Sequence, residues 1–166
     1  TGMRHGELRG LLWRYVDLEN GIVDVVHSLN REGLKGTKTG KPRMGLRLPA
    51  LVVSELERLR PENVEPEAFV FNLKGRPVNH NYLRWHLRKA AERAGAPLNG
   101  RQTFHSLRHS AVSYGLSGAQ DRARREALLQ MAGHADEGTQ GIYAHTTEAQ
   151  LEALRDEWDE RFSQIG

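Results

Sequence analysis

Phe104-His105-Ser106-Leu107-Arg108-His109 sets an imidazole and a permanent cation three residues apart, a spacing that puts both on one face of a helix. A guanidinium beside an imidazole makes a cradle for a phosphate oxygen, because both form charge-assisted hydrogen bonds to it. Gly133-His134 follows, and Tyr143 stands nine residues after that histidine. A phenol attacks phosphorus once its proton is removed, so Tyr143 is a candidate nucleophile. Arg4 and Lys38, the latter in Lys38-Thr39-Gly40, supply two more cations suited to the same anion.

The elements that must position these residues can be read in chain order. Residues 3–13 have Leu8, Leu11 and Leu12 at helical spacing, closed by Trp13, and predict a helix with Arg4 in its first turn. A cation there faces the positive end of the helix dipole. Glu7, one turn on, is placed to pair with Arg4 or to orient it, although a plain surface salt bridge gives the same spacing. Val16 to Leu48 predicts a small antiparallel sheet, with β-rich Ile22-Val23-Asp24-Val25-Val26 and with Met44, Leu46 and Leu48 alternating with Arg43, Gly45 and Arg47. Between these strands, Lys35 to Pro42 is a Gly- and Pro-punctuated turn. Lys35 and Lys41 suit the task of keeping a sheet edge from pairing with other chains.

A helix over Leu51–Leu59 carries Leu51, Val52, Leu56 and Leu59 as its apolar stripe. Ala68-Phe69-Val70-Phe71 follows as a short buried extended segment. Asn79 or Asn81 caps a helix reaching about Ala94, ended by Gly95 and Pro97; its Arg84, Arg88 and Lys89 face outward toward any phosphates, and its His80 and His86 read as ordinary. Thr103 is the expected N-cap of the helix bearing His105 and Arg108, which places His105 where backbone N–H groups also converge on anions. His109 follows Arg108 about 100° around that helix and reads as a packed or supporting histidine. Gly115 to Gln120 ends the helix, and Arg122 to Ala132 forms the next. Tyr143 falls in a short helical turn after a loop. Glu148 to Phe162 is a last helix with Leu151, Leu154, Trp158 and Phe162 on one stripe, folded onto its own domain or docked into a neighbour.

At 166 residues the chain is the size of one domain with a real core. Its 38% hydrophobic and 27% charged content is that of a globular protein. With no cysteine, neither disulfides nor thiolate metal sites arise. No apolar run approaches membrane-spanning length, which leads us to expect a cytoplasmic protein. The net charge of +3 hides an asymmetry. Residues 1–110 hold 19 Lys/Arg against 11 Asp/Glu, whereas residues 111–166 hold 5 against 10. A basic part of that kind can follow a nucleic-acid backbone, or can simply be a solvated face.

Taken together, these residues resemble the tyrosine recombinase (phage integrase) family. Its motifs appear in order as Thr1-Gly2-Met3-Arg4-His5-Gly6-Glu7-Leu8, then Thr37-Lys38-Thr39-Gly40, then His105 and Arg108, then Gly133-His134, then Ile142-Tyr143-Ala144-His145. A lone tyrosine is more often a core or interface residue than a nucleophile; five ordered elements make the difference. The resemblance implies an α+β fold, a mostly helical catalytic domain with a small antiparallel sheet, over residues 1–166. It also implies that residues 147–166 form a C-terminal helix of the kind exchanged with a neighbour, and that the DNA-clamping domain usual ahead of this one is missing from the chain. Tyr15 stands where the family usually has Asp, and Ala132 where Leu is common. The stretch before Gly133 is also longer than usual.

The implied activity is site-specific DNA recombination or integration on double-stranded DNA through a 3′-phosphotyrosine, with prokaryotic or phage origin and self-association on DNA through the C-terminal helix. Arg4, Lys38, His105, Arg108, His134 and Tyr143 are the implied catalytic residues, supported by Glu7. No cofactor and no metal are implied. Two rivals share the chemistry or the fold: a type IB topoisomerase that reseals the same strand, and a DNA-binding module without catalysis. A metal hydrolase built on His105, His109, His134 and His145 lacks a nearby carboxylate.

Overall fold

The computed structural model describes residues 2–37, 40, 42–99, 103–117 and 148–164, together with 122, 125, 128 and 129. The chain opens with a short helix, α1 (His5–Arg9). It is five residues long rather than the eleven expected from the leucine spacing. Gly10 ends it, and Leu11 and Leu12 turn extended to reach the chain at 68–70. Val70 N–H donates to Leu11 O (2.9 Å), Trp13 N–H donates to Ala68 O (3.0 Å), and Leu12 bridges Phe69. Tertiary pairing of two apolar segments outweighs the helical periodicity of three leucines. Arg4 is accordingly the N-cap, with extended backbone, and not a residue of the first turn.

After a 3₁₀ turn at Trp13–Tyr15 come strands β1 (Val16–Asp17) and β2 (Ile22–Val25). A hairpin follows, β3 (His27–Asn30) and β4 (Gly33–Gly36), and then β5 (Arg43–Arg47). The main sheet is antiparallel in the order β1-β2-β5, and β3 pairs β4 separately. Lys35 thus lies in a strand, opposite Ser28, and pairs with Glu32. One irregularity governs the site. Between the pairs Val23↔Leu46 and Val25↔Arg43, β5 holds one residue more than β2. This bulge sits at Gly45, whose φ of +67° suits glycine, and Asp24 Oδ1 accepts the Gly45 N–H at 2.7 Å. An extra residue reverses the inward and outward faces beyond it. Met44, expected on the apolar face, is therefore 55% exposed, and Arg43 is buried.

Helix α2 (Ala50–Leu59) buries Leu56 with Val52 and Val53 beside the core, while Leu51 and Leu59, expected on its apolar stripe, face water. A small hairpin, β6 (Asn72–Leu73) with β7 (Arg76–Pro77), leads to α3 (His80–Arg93). Asn79 caps α3 by accepting Tyr82 N–H at 2.8 Å. Helix α4 (Phe104–Ser117) starts at Thr103, whose Oγ1 accepts His105 N–H at 3.2 Å. The last helix is α5 (Glu148–Ser163). Leu151 and Leu154 of α5 enter one core with Leu11, Trp13, Val23, Val25, Leu46, Leu48, Leu56, Val70 and Leu128. Glu152 meets the Arg47 guanidinium at 3.3 Å, and Asp159 accepts the Ala50 N–H at the start of α2. Helix α5 therefore lies on its own domain. The architecture is the α+β arrangement that the sequence implies. No helix among the described residues is long and apolar enough to cross a membrane.

Candidate active site

Glu7 is the pivot of the site. At the third position of α1 its carboxylate turns back to accept the Arg4 backbone N–H (2.7 Å), the return half of a capping box. Its Oε1 accepts Arg4 Nη1 at 2.9 Å, and Arg43 Nη2, arriving from the bulged end of β5, pairs with Oε2. The Glu7 side chain is 1% exposed, a burial that a carboxylate tolerates only when paired. Helix α1 can sit this close to the sheet because Gly6 and Gly10 face β3; a Cβ on Gly6 would lie 2.5 Å from Ser28 Oγ.

Arg108 reaches the same place from α4. It is 4% exposed, and its Nη1 donates to Gly2 O, two residues before Arg4. Its Nη2 is buried with no hydrogen-bond partner among the described residues. Burial, and then the charge of Arg4, push the Arg108 pKa down to about 10, with Arg43 adding and Glu7 opposing. Burial also lowers Arg43, against the pull of Glu7. Among the described residues this cluster therefore holds three guanidiniums to one carboxylate. The inward N–H of Arg108 and the mutual repulsion of the three cations both call for an anion.

His105 is exposed in the first turn of α4, three residues before Arg108. His109 is not packed away; its Nε2 lies 2.9 Å from His105 Nε2, and the rings meet edge to face at 4.4 Å. Four residues along a helix return nearly to the same side. Such a contact joins one N–H to one bare nitrogen. Next to this pair, His5 packs edge-on against Phe104 and has its Nε2 3.2 Å from His80 Nδ1. Burial, then His80, then Arg9, lower the His5 pKa from 6.5 to about 4.

Of the residues singled out in the sequence, Arg4, Glu7 and Arg108 come together, with His105 on the same helix as Arg108. Lys38, His134 and Tyr143 lie outside the described residues. The turn that holds Lys38 in sequence is flanked by the buried Thr37, whose carbonyl accepts Gly40 N–H at 2.8 Å. Arg43 was missed because strict alternation puts it on the outer face; the signal in the sequence was Gly45 inside a strand pattern, a mark of a bulge. Among the described residues no group of three or more His, Asp or Glu is arranged to hold a metal ion. Away from this cluster, Arg84, Trp85, Arg88 and Lys89 of α3 line an open surface cavity of about 530 Å³.

Comparison with known proteins gives this geometry its context. Tyrosine recombinase XerC 2 of Ralstonia nicotianae is 32% identical over 158 residues, a match covering 94% of this chain and 42% of that protein. The integrase of Staphylococcus phage L54a is 28% identical, covering 89% of this chain and 46% of its own length. This chain thus spans a little under half of each. Among solved structures, the Tn1549 transposon integrase in complex with transposon right end DNA superposes with a TM-score of 0.63 at 23% identity, over 95% of this chain and 55% of that one. The XerA recombinase gives 0.59 at 25% identity, over 95% and 52%. The model of the phage integrase family matches residues 1–150. This chain belongs to the phage integrase family.

Proposed function

We propose that this chain is the catalytic part of a site-specific DNA recombinase or integrase that cuts and rejoins strands through a 3′-phosphotyrosyl linkage. The observation that carries this is the cation cluster around Glu7 with the inward, unpartnered Nη2 of Arg108. A phosphodiester bears one negative charge, and the pentacoordinate species formed on attack bears two. A fixed cluster in which, among the described residues, cations outnumber carboxylates therefore favours the second over the first, which is the requirement for catalysis. Proteins similar to this chain include a recombinase and an integrase, and the Tn1549 transposon integrase is seen in complex with DNA.

In the proposed reaction the Tyr143 oxygen bonds to phosphorus as the bond to the 5′ oxygen breaks. Arg4 and Arg108 hold the two non-bridging oxygens. Lys38 gives the leaving 5′ oxygen its proton, and His105 and His134 move protons and touch the phosphate. The phosphotyrosine keeps the bond energy, so attack by a 5′ hydroxyl reseals a strand without a nucleotide cofactor. The exposed Arg84, Arg88 and Lys89 follow the duplex backbone, a contact whose strength falls steeply with salt. Residues 147–166 serve self-association on DNA: the contacts that α5 makes at Arg47 and Ala50 are the ones an incoming helix from a second copy would reproduce. The setting is cytoplasmic, in a prokaryotic host or its phage, at the nucleoid.

Nicked suicide DNA traps the covalent step and reports on it directly. We expect an adduct that maps to Tyr143 and vanishes in Tyr143→Phe, with fold and DNA affinity nearly unchanged. An adduct surviving in that variant, or mapping to Tyr114 or Tyr82, overturns the assignment.

A further inference from the structure

The buried Arg43 guanidinium on Glu7 has no part in the reaction just described, yet it shares a carboxylate with Arg4. We infer that Arg43 is a positioning residue for the phosphate site, which fixes Arg4 through Glu7 and keeps the inward N–H of Arg108 available to a non-bridging oxygen. This deepens the strand-transfer reading and rests on it.

Glu7 accepts at both of its oxygens. Its Oε1 takes Arg4 Nη1 at 2.9 Å, while Oε2 takes the Arg4 backbone N–H and Arg43 Nη2. Arg43 Nη2 is taken up by Glu7, whereas Arg108 Nη2 has no partner among the described residues, so it is Arg108 and not Arg43 that has an N–H to offer a ligand. The effect of Arg43 is relayed through the carboxylate. Held from two sides, Glu7 cannot swing, and Arg4 is fixed at both its backbone and its guanidinium. Without Arg43, Oε2 loses one of its two donors and Glu7 is free to turn toward Arg108, whose Nη2 has no partner among the described residues. Glu7 already attracts the Arg108 charge, and a carboxylate turned toward it would pair with that N–H. Such a switch would consume the N–H that the phosphate needs and remove one positive charge from around it.

The prediction is therefore specific to the charge on the non-bridging oxygens. Arg43→Ala should slow adduct formation on nicked DNA by about 10- to 100-fold at saturating protein, with little change in half-saturation. Replacing one non-bridging oxygen at the scissile phosphate by methyl removes one negative charge from the pentacoordinate species. On that methylphosphonate the defect should shrink to within about threefold, since the negative charge that the lost N–H would have met is gone. Sulfur at the 5′-bridging position relieves only the leaving group and should not help. Thermal melts accompany each variant. Arg43→Lys, which keeps a cation beside Glu7, should recover most of the rate and serves as the test if the alanine variant does not fold.

An equal defect on phosphate and methylphosphonate would make Arg43 merely structural. Rescue by bridging sulfur instead would place it on the leaving-group side, through the Lys38 turn five residues upstream. Either outcome overturns the inference while leaving strand transfer intact. Absence of any adduct with the unaltered chain would sink the strand-transfer reading itself, and this inference with it.

Discussion

Glu7→Gln is the sharpest perturbation the structure offers, because it changes charge and almost nothing else. Glutamine keeps the volume, so no cavity opens, but its amide nitrogen must then face a guanidinium donor. The structure gives Glu7 three donors: the Arg4 N–H at 2.7 Å, Arg4 Nη1 at 2.9 Å and Arg43 Nη2. At such distances each ion pair is worth about 4 kcal/mol at an effective dielectric near 20, before desolvation is subtracted. Removing one partner of a buried pair costs about 3–5 kcal/mol, because the remaining charge stays uncompensated. Arg4 is partly exposed and can turn to water, so the low end applies here, about 3 kcal/mol. For a domain of this size that corresponds to a fall in Tm of about 6–12 °C.

The assay is thermal unfolding of both proteins in sulfate and in chloride at matched ionic strength. Glu7→Gln removes one negative charge from a cluster already rich in cations, so sulfate should raise its Tm more than it raises that of the unaltered chain, by preferential binding to the folded state. A fall of less than about 2 °C together with no sulfate preference would show that water, and not Glu7, neutralises these guanidiniums. An excess of positive charge would then not define the site.

Two further perturbations probe groups near the cluster. The fold holds His5 neutral, its pKa lowered from 6.5 to about 4; the unfolded chain therefore takes up the proton first, and the stability His5 contributes is complete above pH 6.5 and lost as pH falls toward 4. His5→Gln should flatten the Tm profile across that window, and an unchanged slope would show that another group sets it. If Lys38 is the general acid, Lys38→Ala should lose about two to four orders of magnitude in rate on ordinary DNA and regain most of it with sulfur at the 5′-bridging position; equal losses on both substrates would mean that Lys38 only positions DNA.

Residues that act through local chemistry were legible in the sequence. Asn79 and Thr103 cap the helices they were expected to cap, and Glu7 meets Arg4 as its spacing suggested. Legibility failed where tertiary pairing competes with local pattern. Leu11 and Leu12 have helical spacing, yet they bond to the segment around Phe69. Alternation along β5 was read without its bulge, which inverted the faces of Arg43 and Met44 and hid a buried cation at the site. The partnership of His105 and His109 was underestimated for a different reason. The 100° step from Arg108 suggested a packed histidine at 109, whereas the i, i+4 spacing from His105 carries the contact that forms.

The bulge at Gly45 also explains how a cluster of like charges survives in a marginally stable domain. Each cation enters on a different element, and each element is tied down elsewhere. Arg4 caps α1, which is pressed onto β3 through Gly6 and Gly10. Arg43 starts β5, whose far end holds α5 through Arg47 and Glu152 and whose Leu46 is nearly fully buried. Arg108 lies in the second turn of α4, behind the Thr103 cap and the Phe104 ring that packs on His5. Repulsion among the guanidiniums is thus opposed by apolar burial and hydrogen bonds at a distance from the charges. Groups pushed away from their ordinary protonation by burial and like charge are where function concentrates. Local contacts alone would disperse these cations, and it is the remainder of the fold that keeps Arg4 and Arg43 on Glu7 and Arg108 on the Gly2 carbonyl beside them.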